Sequence, residues 1–89
     1  MITDAKLKSA KGRDKPYKLH DDKGLFLIVR PNGNKWWRFK YRFEDRAKEI
    51  SLGVYPEVKL KQARDLRNEY REDVADKIEP SAKRQAEDK

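Results

Sequence analysis

The fold turns on residues 25–43, LFLIVRPNGNKWWRFKYRF. Two runs rich in β-branched and aromatic residues, 25–30 and 35–43, flank Pro31-Asn32-Gly33-Asn34. Such runs read as strands, and Asn-Gly between them is a strong hairpin signal. Successive side chains of a strand point to opposite faces. One face of 36–43 therefore holds Trp37, Phe39, Tyr41 and Phe43. The other holds Trp36, Arg38, Lys40 and Arg42. The first is a core face. The second sets its cations about 6.6 Å apart along the strand, with no carboxylate among them.

The pattern continues on both sides of this stretch. Glu44-Asp45-Arg46 turns the chain, and AKEISL at 47–52 returns as a third strand. Asp21-Asp22-Lys23-Gly24 is a turn before the hairpin, with Gly24 free to take a positive φ. Residues 17–20 form a weaker run, a candidate fourth strand at the sheet edge. Leu25, Leu27, Val29, Ile50 and Leu52 are the expected flanking core, and Gly53 and Pro56 are expected to end the sheet. Over 60–79, Ala63, Leu66, Tyr70, Val74 and Ile78 recur three or four residues apart, which predicts a helix with one apolar stripe. Lys61/Asp65 and Asp73/Lys77 have the i,i+4 spacing of ion pairs on its wet face. Lys59 is a poor cap for it. Pro80 is expected to stop it, because the residue before a proline is pushed out of the α region. Thr3 can cap a short helix over 4–10, with Ile2 and Leu7 at the spacing of a hydrophobic staple. The expected class is α+β: a three-stranded antiparallel sheet, four-stranded with 17–20, packed against a C-terminal helix, with a short N-terminal helix.

Composition bounds the function. At 89 residues the chain has room for one domain. It carries 23 Lys+Arg against 16 Asp+Glu, a net charge of +7. The surplus is unevenly placed. Residues 1–24 hold seven basic and four acidic side chains, 25–52 hold seven and three, and 53–89 hold nine of each. A basic excess on the first part of the chain predicts an anionic partner there, nucleic acid first. The absence of Cys excludes a disulfide scaffold, a thiolate metal site and a Cys nucleophile. No apolar run approaches the roughly 20 residues of a membrane span and no signal peptide opens the chain, so a cytoplasmic protein is expected.

Catalytic chemistry is hard to build from these residues. His20 is the one histidine and has no Cys or second His to share a metal with. Asp21/Asp22 and Glu44/Asp45 are adjacent in turns and do not converge on one substrate atom. The expectation is a module with no catalytic residues, metal or cofactor. A two-stranded ribbon fits the major groove of duplex DNA. Arg38 or Arg42 could then pair with the guanine O6/N7 edge, while Lys40 and Arg30 meet phosphate or base. Asn32 and Asn34, at the hairpin tip, could read adenine or touch the backbone. Trp36 could pack on a sugar or a thymine methyl, or be covered by the N-terminal segment. Lys11, Arg13 and Lys15, with Lys6 and Lys8, form a second basic cluster. Two other readings fit the composition. A basic sheet with aromatics can bind single-stranded RNA, as in a ribosome-associated module, and the neutral helix can meet a protein.

The segments GLFLIVRPNGNKWWRFKYRF and SLGVYPEVKLKQAR resemble a known family. The order of residues is similar to the N-terminal domain of phage- and pathogenicity-island-type integrases, which are tyrosine recombinases. ITDAKLKSAK, KPYKLHDDKGL and KIEP fit the same pattern, so the resemblance covers residues 2 to about 82. It implies an arm-type DNA-binding domain over 1–80, whose small sheet enters the major groove. It implies that 81–89 is a linker or disordered tail toward a catalytic domain absent from the chain. The positions matching the family's sheet face are Trp36, Arg38, Lys40 and Arg42, and Leu52-Gly53 with Tyr55-Pro56 matches a structural turn. Other integrase subunits or an accessory recombination protein are partners the resemblance allows. Two positions depart from the pattern: Glu44-Asp45-Arg46 stands at a turn that often carries Gly, and Glu49 stands where a cation is common.

Overall fold

The computed structural model describes residues 1–82. Its elements run α1 (Asp4–Ser9), β1 (Tyr17–His20), β2 (Leu25–Val29), β3 (Lys35–Phe43), β4 (Arg46–Tyr55) and α2 (Leu60–Ala75). The four strands form one antiparallel sheet in sequence order. The class is therefore α+β, and the weak run at 17–20 is the fourth strand.

Alternation on β3 sorts the layers as the sequence predicts. Trp37, Phe39 and Tyr41 are buried, while Lys40 and Arg42 are exposed. Leu25, Leu27 and Val29 of β2 and Ile50 and Leu52 of β4 join that face. Helix α2 covers it with Leu60, Ala63, Leu66, Tyr70 and Val74, Tyr70 stacking on Phe39 with ring centroids 6.4 Å apart. Helix α1 seals one end. The Thr3 hydroxyl accepts from the Lys6 amide at 3.2 Å, and Ile2 and Leu7 are both buried as the staple spacing requires. Burying Trp37 leaves no donor orphaned, because its indole N–H donates to the Val58 carbonyl at 2.7 Å.

Several elements end differently from the sequence reading. β4 does not stop at Gly53; it runs to Tyr55. Trp37 pairs with Gly53 and Arg38 with Ser51, so Leu52 is the extra residue of a β-bulge. Gly53 takes φ +117°, and a Cβ there would lie 2.5 Å from Val58 Cγ2. Helix α2 ends at Ala75, four residues short of the expectation. Its end is a Schellman motif: Lys77 is left-handed at φ 62°, its N–H reaches Val74 O at 3.0 Å, and the Ile78 N–H reaches Asp73 O at 2.7 Å. Ile78 is therefore exposed past the helix and is not part of the stripe. Asp73 is buried rather than on the wet face, and its expected partner Lys77 lies in the turn. Pro80 does not stop α2. It is buried and opens a further helical turn, whose free amides at Ser81 and Ala82 donate to the Glu79 carboxylate at 3.1 and 3.3 Å. Most of the 81–89 segment, residues 83–89, lies outside the described residues.

The two hairpins use different turns. In the first, the Gly33 N–H donates to Arg30 O at 2.8 Å and Gly33 is left-handed. That is a three-residue loop with Pro31-Asn32 at its centre, where proline fits the first central position. In the second, Phe43 pairs with Arg46 around Glu44 (φ 50°) and Asp45 (φ 63°). Two left-handed central residues make a type I′ turn, which prefers Asn-Gly. Glu44→Asn with Asp45→Gly is expected to raise the unfolding free energy by about 1 kcal/mol, because strain at two Cβ-bearing positions is relieved. Urea denaturation checks this; a loss of stability would contradict the turn assignment.

Candidate nucleic-acid interface

The outer face of the sheet is a grid of cross-strand rows, the unit by which side chains meet in a sheet. One row is Lys18, Ile28, Trp36 and Val54 across all four strands. The next is His20, Phe26, Arg38 and Ser51. Lys40 lies opposite Glu49 and Arg42 opposite Ala47 further along. The helices pack on the other side, so the described elements leave this face open. Three adjacent strands span roughly 10 Å, which is within the ~12 Å width of a DNA major groove.

The structure thus brings Trp36, Arg38, Lys40 and Arg42 together on one open face. Arg30, exposed at the end of β2, joins them by holding its guanidinium 4.8 Å from the centroid of the Trp36 ring. Trp36 is half-buried beneath that cation, while α1 packs on the opposite face of the sheet. Asn32 and Asn34 are exposed at the hairpin tip. Asn32 Oδ1 accepts from the Asn34 N–H at 3.0 Å, so one polar end of Asn32 is occupied in stiffening the turn.

β4 changes the charge picture. The cations of β3 have no carboxylate in their own strand, but Glu49 lies beside them, its Oε2 3.8 Å from Arg38 Nη1. Both side chains are about a third exposed, and an exposed pair at that distance is weak. Arg38 Nε is buried with no hydrogen-bond partner among the described residues.

The second cluster meets the first at the hairpin tip. A Cβ at Gly12 would stand 2.3 Å from Pro31 O and 2.8 Å from Arg30 O, so the 11–16 connector runs directly against the turn. The Arg13 guanidinium lies 4.2 Å from the Tyr17 ring centroid, and the Tyr17 hydroxyl donates to Lys11 O at 2.6 Å. Lys6, Ser9, Lys11, Arg13 and Tyr17 help line a cleft of about 320 Å³. Lys15 is exposed on the same connector.

The sequence reading missed the apolar part of the outer face. Phe26 is buried there, with Lys18 Nζ 5.0 Å from its ring centroid and the tilted His20 ring at 5.7 Å. Ile28 and Val54 flank Trp36 in the neighbouring row. The signal was present: LFLIV is an unbroken apolar run, and such runs mark strands covered on both faces.

Among the described residues no helix is long and apolar enough to cross a membrane. Residues 2–87 match the family described as Arm DNA-binding domain. The chain is 44% identical over 81 residues to prophage integrase IntZ of Escherichia coli K12, a match covering 89% of this chain and 20% of the relative. It is 36% identical over 80 residues to the integrase of Shigella phage Sf6, covering 90% of this chain and 21% of that protein. It is 42% identical over 76 residues to the integrase of Enterobacteria phage P4, covering 83% and 17%. The chain thus spans about a fifth of the length of the curated relatives it matches. With the family match running over the whole described sheet and both helices, the chain belongs to the arm DNA-binding domain family found in phage and prophage integrases.

Proposed function

We propose that this domain binds arm-site duplex DNA by laying the outer face of β2, β3 and β4 into the major groove. The observation that carries this reading is the sorting of β3: its apolar residues are in the core and Arg38, Lys40 and Arg42 stand on an open face of groove-compatible width. Arg38 and Arg42 are the base readers, Lys40 and Arg30 meet phosphate or base, and Asn32 and Asn34 lead at the tip. Lys11, Arg13 and Lys15 hold phosphates beside that tip. The domain acts as a binding module without strand-cleaving activity of its own, and the whole protein is a tyrosine recombinase whose catalytic residues lie in another domain.

The single-stranded RNA reading is less well supported. It requires several accessible aromatics for stacking, and on this face Phe26 is buried and Trp36 half-buried. The protein-partner reading through α2 is weakened because Ala63, Leu66, Tyr70 and Val74 pack into the core.

Two readouts test the proposal. With about six phosphates engaged, log K is expected to fall against log salt with a slope near −5. In competition at equal salt, duplex DNA is expected to displace the domain from single-stranded RNA. A preference for the RNA would overturn the reading.

A further inference from the structure

The outer face carries a feature that cations alone do not explain. Ile28, Trp36 and Val54 are directly opposite one another on three adjacent strands, forming an apolar bar across the face. All three are half-buried. Phe26, in the next row, supports the bar from beside it. Arg30 and Arg38 bound it along the strand directions. An apolar bar inside a basic face suits a ligand that is anionic at its margins and apolar at its centre.

We propose that this bar is the specificity-determining element of the interface, and that it takes the 5-methyl groups of thymines on the floor of the major groove. This rests on the duplex-binding reading above. The thymine methyl is the one apolar group that natural base pairs present in that groove. The bar crosses the groove while the cations run along it, so its side chains face base edges as the cations reach guanines or the flanking phosphates. The site class is therefore thymine-rich at its centre. Ile28 and Val54 determine specificity without carrying charge.

The test uses the 89-residue chain and duplexes of about two helical turns, one of alternating dA·dT and one of alternating dA·dU. These differ only by the methyl group. Burying one methyl is expected to change affinity about fourfold, and two about fifteenfold. The expected result is binding to dA·dT four- to fifteenfold tighter than to dA·dU. An Ile28→Ser, Val54→Ser variant that remains folded is expected to lose most of this discrimination, Trp36 being left as the one apolar side chain of the bar. Equal binding of the two duplexes by the unmodified chain overturns the thymine assignment while leaving duplex binding intact. Discrimination that persists unchanged in the folded variant overturns the assignment to these side chains. Failure to bind either duplex while a mixed-sequence duplex containing guanine is bound overturns the thymine assignment, and failure to bind that duplex as well overturns the duplex-binding reading itself.

Discussion

Replacing Asp21 with alanine is expected to remove about 3–5 kcal/mol of stability, most of what a small domain has. The Asp21 side chain is 1% exposed and accepts from three directions. The Ile2 amide reaches Oδ1 at 3.0 Å, Arg64 binds through Nε at 3.1 Å and Nη2 at 3.0 Å, and Arg67 Nη1 reaches Oδ2 at 3.1 Å. Arg64 also donates to Ile2 O, and Arg67 to Asp22 O, both at 2.9 Å. One carboxylate thus ties the N-terminus, the β1–β2 turn and α2 together. Removing it deprives the buried Arg67 cation of the carboxylate it pairs with among the described residues, which is costlier than losing the pair's net attraction.

The same site has a pH signature. Burial alone would push the Asp21 carboxyl up, but the Arg64 hydrogen bond and charge, with the amides of Ile2 and Asp22, hold it at about 2. A depressed folded pKa stabilises the fold above the unfolded value, and that share is lost as pH falls from about 4 toward about 2, roughly 2 kcal/mol in all. Urea denaturation at neutral pH and through this window checks both points. Asp21→Asn keeps the shape and is expected to lack the Asp21 share of the acid step. A cost below about 1 kcal/mol for Asp21→Ala would contradict the hub.

The second large effect concerns binding. Arg38→Ala with Arg42→Ala is expected to weaken specific duplex binding about a hundredfold or more in a gel-shift assay, with the circular dichroism spectrum unchanged. Each arginine that pairs bidentately with a base contributes about 1–3 kcal/mol of discrimination. The fold is expected to survive because Arg42 is exposed and, among the described residues, the polar contact of Arg38 is the long one to Glu49. Removing Arg38 also removes the orphaned Nε. Unchanged affinity in a folded double variant would end the base-reading role of these two residues.

What the sequence made legible followed from short-range periodicity. Alternation separated Trp37 from Arg38, and the three-to-four spacing of Ala63, Leu66 and Tyr70 located the helix that covers the core. The misreadings share a physical origin in features without a local period. The Asp21–Arg64–Arg67 hub joins residues over forty positions apart, and a buried ion pair leaves no pattern along the chain. Lys77 adopts the left-handed conformation usually given to glycine, so the end of α2 carried no signal. Pro80 looked like a stop because proline breaks a helix, yet the same ring suits the first residue of a new turn. The bulge at Leu52 let β4 continue past Gly53, and so added Val54 to the face that the alternation argument had drawn from β3 alone. The candidate cations were legible because they share one strand. The apolar bar was not, because it exists only once three strands are placed side by side.

If the proposed function holds, the open sheet face rather than the long helix receives DNA, and amide chemical-shift titration of the chain with duplex DNA distinguishes the two. The predicted result is shifts concentrated at residues 28–42 and 49–54, with a second group at 11–15 beside the hairpin tip. Shifts confined to residues 60–75, with the β3 amides unmoved, would contradict it.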